Sequence, residues 1–288
     1  MSALPERPPE GLVLRRPVLV AAFEGWNDAG DAATSAVEHL GEQWGAEDVA
    51  ALDPDEYYDF QVNRPMVELV DGITRRVSWP TTRISVCRPA EAERDLVLVR
   101  GLEPNLRWRG FCAELVAIAQ QLGVEMVISL GALLADSPHT RPVPVSGTTS
   151  DPDTAASLGL EPSRYEGPTG IVGVFQDACT QAGMTSVSFW AAVPHYVAQP
   201  PCPKATIALL RRVEDLLDLP VPLDDLPERA RAWERQVDEL AAEDSDVAEY
   251  IASLEEREPA TELPEASGEA IAKEFERYLR RRDDGPRG

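Results

Sequence analysis

Four near-continuous apolar runs constrain this chain more than any other feature: PVLVAAF (Pro17–Phe23), DLVLVRG (Asp95–Gly101), VEMVISLGALL (Val124–Leu134) and MTSVSFWAAV (Met184–Val193). A strand with one wet face alternates polar and apolar residues, whereas a strand covered on both faces has no need to. Segments with helical spacing lie between and after the runs. The first run enters EGWNDAGDAATSAVEHLG, where Ala29, Ala33, Val37 and Leu40 share a stripe, Asn27 or Asp28 can cap and Gly41 can terminate. FCAELVAIAQQLG (Phe111–Gly123) aligns Cys112, Leu115, Val116 and Ala119. TGIVGVFQDACTQAG (Thr169–Gly183) and PKATIALLRRVEDLL (Pro203–Leu217) complete the set, the latter with proline at its first position, where no N–H is needed. The alternation predicts an α/β fold, a three-layer αβα sandwich with a largely parallel central sheet.

Weaker signals fill the gaps. YYDFQV (Tyr57–Val62) and RRVSWP (Arg75–Pro80) read as strands, TTRISVCR (Thr81–Arg88) as part of a hairpin, and PVPVSGTTSD as a short edge strand running into a polar loop. Residues 151–169 read as irregular or partly helical. Residues 1–11 form a Pro- and Glu-rich flexible tail, 12–220 the α/β domain and 221–288 an acidic C-terminal helical extension. In that extension Trp233, Val237, Leu240, Val247, Tyr250, Ile251 and Leu254 recur at 3–4 spacing. Ile271, Phe275, Tyr278 and Leu279 do the same after the linker EREPATELPEASGE. These stripes need a surface to cover, in cis or on a neighbouring subunit.

Charge narrows the partners. Fifty acids against 27 bases give a formal net charge of −23 and a pI near 4.5 over 288 residues. A general nucleic-acid binder or an anionic-membrane binder needs a basic surface, so neither is expected. No apolar run reaches the roughly 18 residues of a membrane span, and MSALPERPPEG lacks a signal-peptide pattern, so a cytoplasmic location is expected. Cys87, Cys112, Cys179 and Cys202 are scattered and read as buried free thiols rather than a metal cluster.

Polar or aromatic clusters follow each of the four apolar runs: EGWNDAG, RGLEPNLRWRGF, SLGALLADSPHTRPVP and WAAVPHY. Ligand crevices of open parallel sheets form at the carboxyl ends of the strands. If the four strands are parallel, a candidate crevice gathers Glu24, Asn27, Asp28, Glu103, Asn105, Arg109, Asp136, His139, Arg141, Trp190, His195 and Tyr196. His139 and His195 could serve as an acid–base pair, or hold an anion with an arginine. The plainer reading gives EGWNDAG turn and capping duty, and makes PHY the lock of a crossover. GPTG (Gly167–Gly170) before a helix could cradle an anion or simply join loop to helix. There is no GxGxxG, no phosphate loop, no GxSxG elbow and no HExxH, so no catalytic set, metal site or cofactor is expected. Asp151 and Asp153 fit turn and capping roles better than a metal loop.

Taken in order, VLVAAFEGWNDAGDAATSAVEHL, GLEPNLRWRGF, ISLGALLADSPHTRPVPVSGT, YEGPTGIVGVFQDACTQAG and SFWAAVPHYVAQPPCPKATIALLRRVEDLL resemble the PAC2 family of proteasome assembly chaperone 2 and its archaeal and bacterial relatives, in its actinobacterial-type branch. The likeness covers about residues 12 to 220. It implies a nucleoside phosphorylase/hydrolase-like α/β fold, homo-oligomers (a trimer among them) and proteasome-related partners, and it supplies no agreed catalytic residues. Gly25, Asn27, Gly30, Gly131 and Pro138 are matched positions without assigned chemistry. The ending RRDDGPRG departs from the hydrophobic–Tyr–X peptide of a proteasome activator. Two functions follow: a non-enzymatic assembly factor or protein-interaction scaffold, or a protein that binds or converts a nucleoside- or phosphate-like molecule in the strand-end crevice.

Overall fold

The computed structural model describes residues 4–90, 92–160, 165–197 and 199–256. Its centre is a seven-stranded sheet. The four apolar runs become β1 (Val18–Glu24), β6 (Leu96–Leu102), β7 (Met126–Ala135) and β9 (Thr185–Pro194). All four are parallel and adjacent, in the order β6-β1-β7-β9. Three short strands complete the sheet. β5 (Arg83–Cys87) pairs antiparallel with β6, and β2 (Glu47–Ala51) continues outward antiparallel to β5. β8 (Val145–Thr149) closes the opposite edge antiparallel to β9.

The continuous apolarity of β1 has a direct cause. Val18, Val20 and Ala22 point to one face, where they pack with α1 (Ala32–Gln43) and α6 (Pro203–Leu217). Leu19, Ala21 and Phe23 point to the other, under α3 (Trp108–Gln121) and α5 (Ile171–Gln181). Phe23 meets Phe111 and Phe175 edge to face there, at centroid distances of 5.7 and 6.3 Å. The architecture is therefore the expected αβα sandwich. Its first core continues through Trp233 and Val237 of α7 (Leu226–Glu243), which packs on α6, and α8 (Ser245–Glu255) packs on α7. All four cysteines are buried free thiols; burial pushes Cys87, Cys112 and Cys179 up to about 12 and Cys202 to about 11.

The segment expected as a strand at Tyr57–Val62 is instead one helical turn, α2 (Pro54–Tyr57), followed by turns. Asp53 caps that turn, and Pro54 fixes its first residue. Tyr57 and Tyr58 are apolar for the core, not for a sheet: Tyr58 Oη donates to the Leu102 carbonyl at 2.9 Å and Tyr57 donates to Glu114. Gly41 does not end α1. It lies where a Cβ would stand 3.4 Å from Ala46 and Leu98, and the helix stops two residues later, at Trp44 and the left-handed Gly45. The hairpin of this region is β3 (Met66–Val70) with β4 (Thr74–Ser78), a separate two-stranded sheet, whereas Arg83–Cys87 belongs to the main sheet. A short helix, α4 (Pro152–Leu158), follows β8, capped by the Asp151 side chain. The helix expected around Ile271–Leu279, and all but the first residue of the linker before it, lie outside the described residues.

Candidate functional site

Because the four central strands run parallel, the segments after them share one edge of the sheet. The EGWNDAG segment decides what that edge becomes. It does not stand aside as a lip. It leaves β1, crosses the strand ends toward β7 and plugs the gap: the Asn27 carbonyl accepts from Ala132 N–H at 2.8 Å, and Asp28 bridges to Ala132. Gly30, at φ 63°, accepts from Cys202 N–H at 2.8 Å, and a Cβ there would stand 2.7 Å from that of Cys202. Nine of the twelve candidate residues therefore fall into two clusters, one on each side of this bridge, and Asn105, Arg109 and Trp190 join neither.

The first cluster joins β1, β6 and α5. Glu24 is the last residue of β1, and its carbonyl accepts from Glu103 N–H at 2.9 Å, so the β1–β6 ladder continues beyond the strands. One oxygen of Glu103 accepts from Asn27 Nδ2 at 2.8 Å and from Ile171 N–H at 2.9 Å. Ile171 opens α5 and Gly170 is its cap position, with no capping side chain of its own. Glu103 supplies the cap from another part of the chain, and its charge faces the positive end of the helix dipole. Burial raises its pKa, opposed by these same hydrogen bonds. Burial raises Glu24 too, partly offset by Arg100. Asn27 Oδ1 is buried without a partner among the described residues, and a Cβ on Gly170 would come within 2.3 Å of it. Glycine at 170 is what lets the loop and the helix start meet.

Asp28 does the corresponding work for α1. Its carboxylate accepts from Ala33 N–H at 2.6 Å, from Thr34 N–H and from the Thr34 hydroxyl. Burial pushes its pKa up to about 6 against these hydrogen bonds. Both helix starts where an anion could have bound, after GWNDAG and after GPTG, thus hold a carboxylate of the protein itself. Asn105 serves the loop before the β3–β4 hairpin: its side-chain oxygen accepts from Asp59 N–H at 3.0 Å and Asn63 Nδ2 at 2.8 Å. Arg109 is exposed on the first turn of α3 and joins neither cluster.

The second cluster joins the ends of β7 and β9 to the C-terminal helices. His139 is buried; its backbone N–H donates to Tyr196 Oη at 2.7 Å, and its Nδ1 lies 2.8 Å from the same oxygen. Nε2 lies 2.9 Å from Asp238 of α7. A neutral imidazole protonated at Nε2 satisfies the set: Nε2–H donates to Asp238, and Nδ1 accepts from the tyrosine hydroxyl. Burial pushes Tyr196 up to about 12, so its hydroxyl keeps the proton it donates. Lys204 Nζ donates to the His139 carbonyl and to Glu234 of α7. Thr140 donates to the Glu255 side chain at 2.6 Å and Arg141 to the Glu255 carbonyl. His195 pairs with Asp136 at 3.1 Å and stacks edge to face with Tyr250 of α8 at 5.1 Å. Both histidines flank Tyr196, with ring centroids 5.8 and 6.0 Å from it. Trp190 lies within β9 rather than at its end, and packs over Gly131 of β7, where a Cβ would fall 2.6 Å from the indole.

The partners that sequence reasoning missed are Lys204, Trp233, Glu234, Asp238, Tyr250 and Glu255. Trp233 and Tyr250 were visible as members of an apolar stripe; nothing in the spacing said that the stripe would cover ADSPHTRP. Among the described residues there is no group of three His, Cys, Asp or Glu side chains arranged to hold a metal ion, and no helix is long and apolar enough to cross a membrane. Two depressions lie on the surface. One of about 530 Å³ sits between Arg7–Leu12 and Gln121–Leu122, and one of about 100 Å³ beside His39, Pro203 and Arg229.

The solved structures most informative for this arrangement are actinobacterial. A PAC2 family protein from Streptomyces avermitilis is 65% identical, with a TM-score of 0.77, over 82% of this chain and 99% of its own. A proteasome-assembly chaperone homologue from Mycobacterium tuberculosis is 61% identical, with a TM-score of 0.75, over 81% of this chain and 99% of its own. Pyrococcus furiosus PbaB, an archaeal proteasome activator, shares the fold at 18% identity and a TM-score of 0.65, over 82% of this chain and 97% of its own. No curated protein matches the chain. The PAC2 family model matches residues 22–241, from the end of β1 through α7, and with the two actinobacterial likenesses this establishes that the chain belongs to the PAC2 family.

Proposed function

We propose that this protein is a cytoplasmic, non-enzymatic assembly factor that acts on proteasome subunits through protein–protein contacts and works as a homo-oligomer. Residues 12–220 form its α/β domain and 221–288 its acidic helical extension. The observation that carries the reading is the 61% identity to the Mycobacterium tuberculosis proteasome-assembly chaperone homologue, sustained over 99% of that chain. The strand-end edge supports it. Side chains of the protein fill the helix starts that a phosphate would use, and α7 and α8 hold the histidine loop through Asp238 and Glu255.

The test is reconstitution. Proteasome α and β subunits from the native organism are co-expressed with and without this chain, and assembly intermediates are followed by native mass spectrometry. Faster passage to complete rings, with α or β subunits retained on the tagged chain, is the expected result. Unchanged assembly, with no subunit recovered even after crosslinking, overturns the reading. A thermal-shift series with phosphate, nucleosides and nucleotides tests the competing small-molecule reading. A ligand that binds only the folded protein raises Tm with concentration, and no such rise is expected here.

A further inference from the structure

The β3–β4 hairpin is the least covered part of the described chain. It forms its own two-stranded sheet, and its turn closes through Asp71 and Gly72 at φ 55° and 72°. Six of the ten exposed large hydrophobic side chains among the described residues lie between Met66 and Trp79. Met66 is 65% exposed, Leu69 63% and Ile73, at the tip, 86%. An isolated two-stranded hairpin is marginal in water, and a contiguous apolar surface of this kind marks a place of association.

The register sorts the arm into two faces. Val67 stands opposite Val77 and Leu69 opposite Arg75, so these four share one face, on which Trp79 continues the alternation. Met66, Glu68, Val70, Thr74, Arg76 and Ser78 share the other. One face is therefore an apolar strip with an arginine toward its far end. The arm is also basic for this chain, with Arg64, Arg75 and Arg76 against Glu68 and Asp71, although the whole protein carries −23.

A matching surface exists on the same molecule. From Leu226 to Glu255 there are nine carboxylates against Arg229, Arg231 and Arg235. On the outer side of α7, Leu240 is 59% exposed, with exposed Glu239, Glu243 and Asp244 around it. We infer that the arm of one copy lies across the outer face of α7 in a second copy. Val67, Leu69 and Val77 cover Leu240, while Arg75, on the same face, meets Glu239 and Glu243. Two different patches join in such a contact, so it repeats head to tail and closes into a ring when the rotation allows. The inference rests on the self-association proposed above and names its surface.

Light scattering and sedimentation of the full chain test it. The wild type is expected to be an oligomer. R75E, and separately V67D/V77D, are expected to weaken self-association about thirtyfold or more with the melting temperature of the α/β body kept. Adding E239R/E243R to R75E is expected to restore the oligomer, because it restores opposite charges across the contact. A monomeric wild type overturns the homo-oligomer reading itself. An oligomeric wild type whose mass none of these variants changes overturns only the arm assignment. Arm variants that keep their mass but lose proteasome subunits show that the arm docks another protein, and equally overturn it. Loss of the oligomer without rescue by the α7 reversal removes α7 as the receiving surface.

Discussion

The strand-end edge and the β3–β4 arm lie in one chain and follow opposite rules. At the edge, Glu103 caps α5, the buried Asp28 caps α1, and the buried His139 is held between Tyr196 and Asp238. On the arm, apolar side chains stand in water. A buried polar group left unpaired costs about 1–3 kcal/mol, so these internal pairings help hold the fold together. Apolar surface gains free energy by leaving water wherever it can, so the arm retains an unspent driving force for association. The difference teaches that one chain can commit its polar side chains to internal caps at one place and leave apolar side chains uncovered at another.

Substitutions separate the two regions. The largest effect is expected from Trp233→Ala. The indole is buried between α7 and the first core, and such a truncation removes about 3–5 kcal/mol of stability, measured by denaturant unfolding. A loss below about 1 kcal/mol would show that α7 is peripheral and that the strand-end edge does not depend on its cover.

Asp28→Asn comes next and is read against pH. Burial places the Asp28 pKa near 6 in the folded protein, above its ordinary value of 3.8. Between those values the folded state keeps a proton that the unfolded chain has released, so the stability associated with this group is full below about pH 4 and is lost as pH rises through 6. Asparagine has no proton to lose. The stability of the wild type relative to D28N is therefore expected to fall by about 2–3 kcal/mol between pH 4 and pH 7. A difference that stays flat would mean that Asp28 caps α1 as a carboxylate throughout.

The smallest stability effect belongs to the arm. Val67→Ser or Val77→Ser is expected to change unfolding free energy by no more than about 0.5 kcal/mol at a dilution where the protein is monomeric. A larger loss there would erase the contrast, because it would place the arm within the packed body.

How much was legible can be argued from particular residues. β1, β6, β7 and β9 were visible because double burial removes the polar alternation, and this holds whatever the neighbours are. α1, α3, α5 and α6 were visible because a helix on a sheet must carry a stripe. β2 and β3 were missed: EDVAA and MVELV are short, and their place at a sheet edge or in an arm leaves little pattern to read. The Tyr57–Tyr58 pair misled because an aromatic serves a core as readily as a strand. The twelve candidate site residues were picked by their position after strands. The division of nine of them into two clusters follows from the path of one loop, which no spacing encodes.

The sequence alone determined the layers and pointed to a largely parallel centre, and the structure showed that all four central strands run parallel. Burial on two faces, helical periodicity and connection length act over a few residues and are written locally. Only the tertiary structure decided that GWNDAG crosses the strand ends, that Glu103 caps a helix starting 68 residues later, and that α7 brings Asp238 to His139 across 99 residues. Those pairings depend on which surfaces meet after the chain has folded. A carboxylate looks the same in sequence whether it awaits a ligand or has already found the N–H group of its own chain.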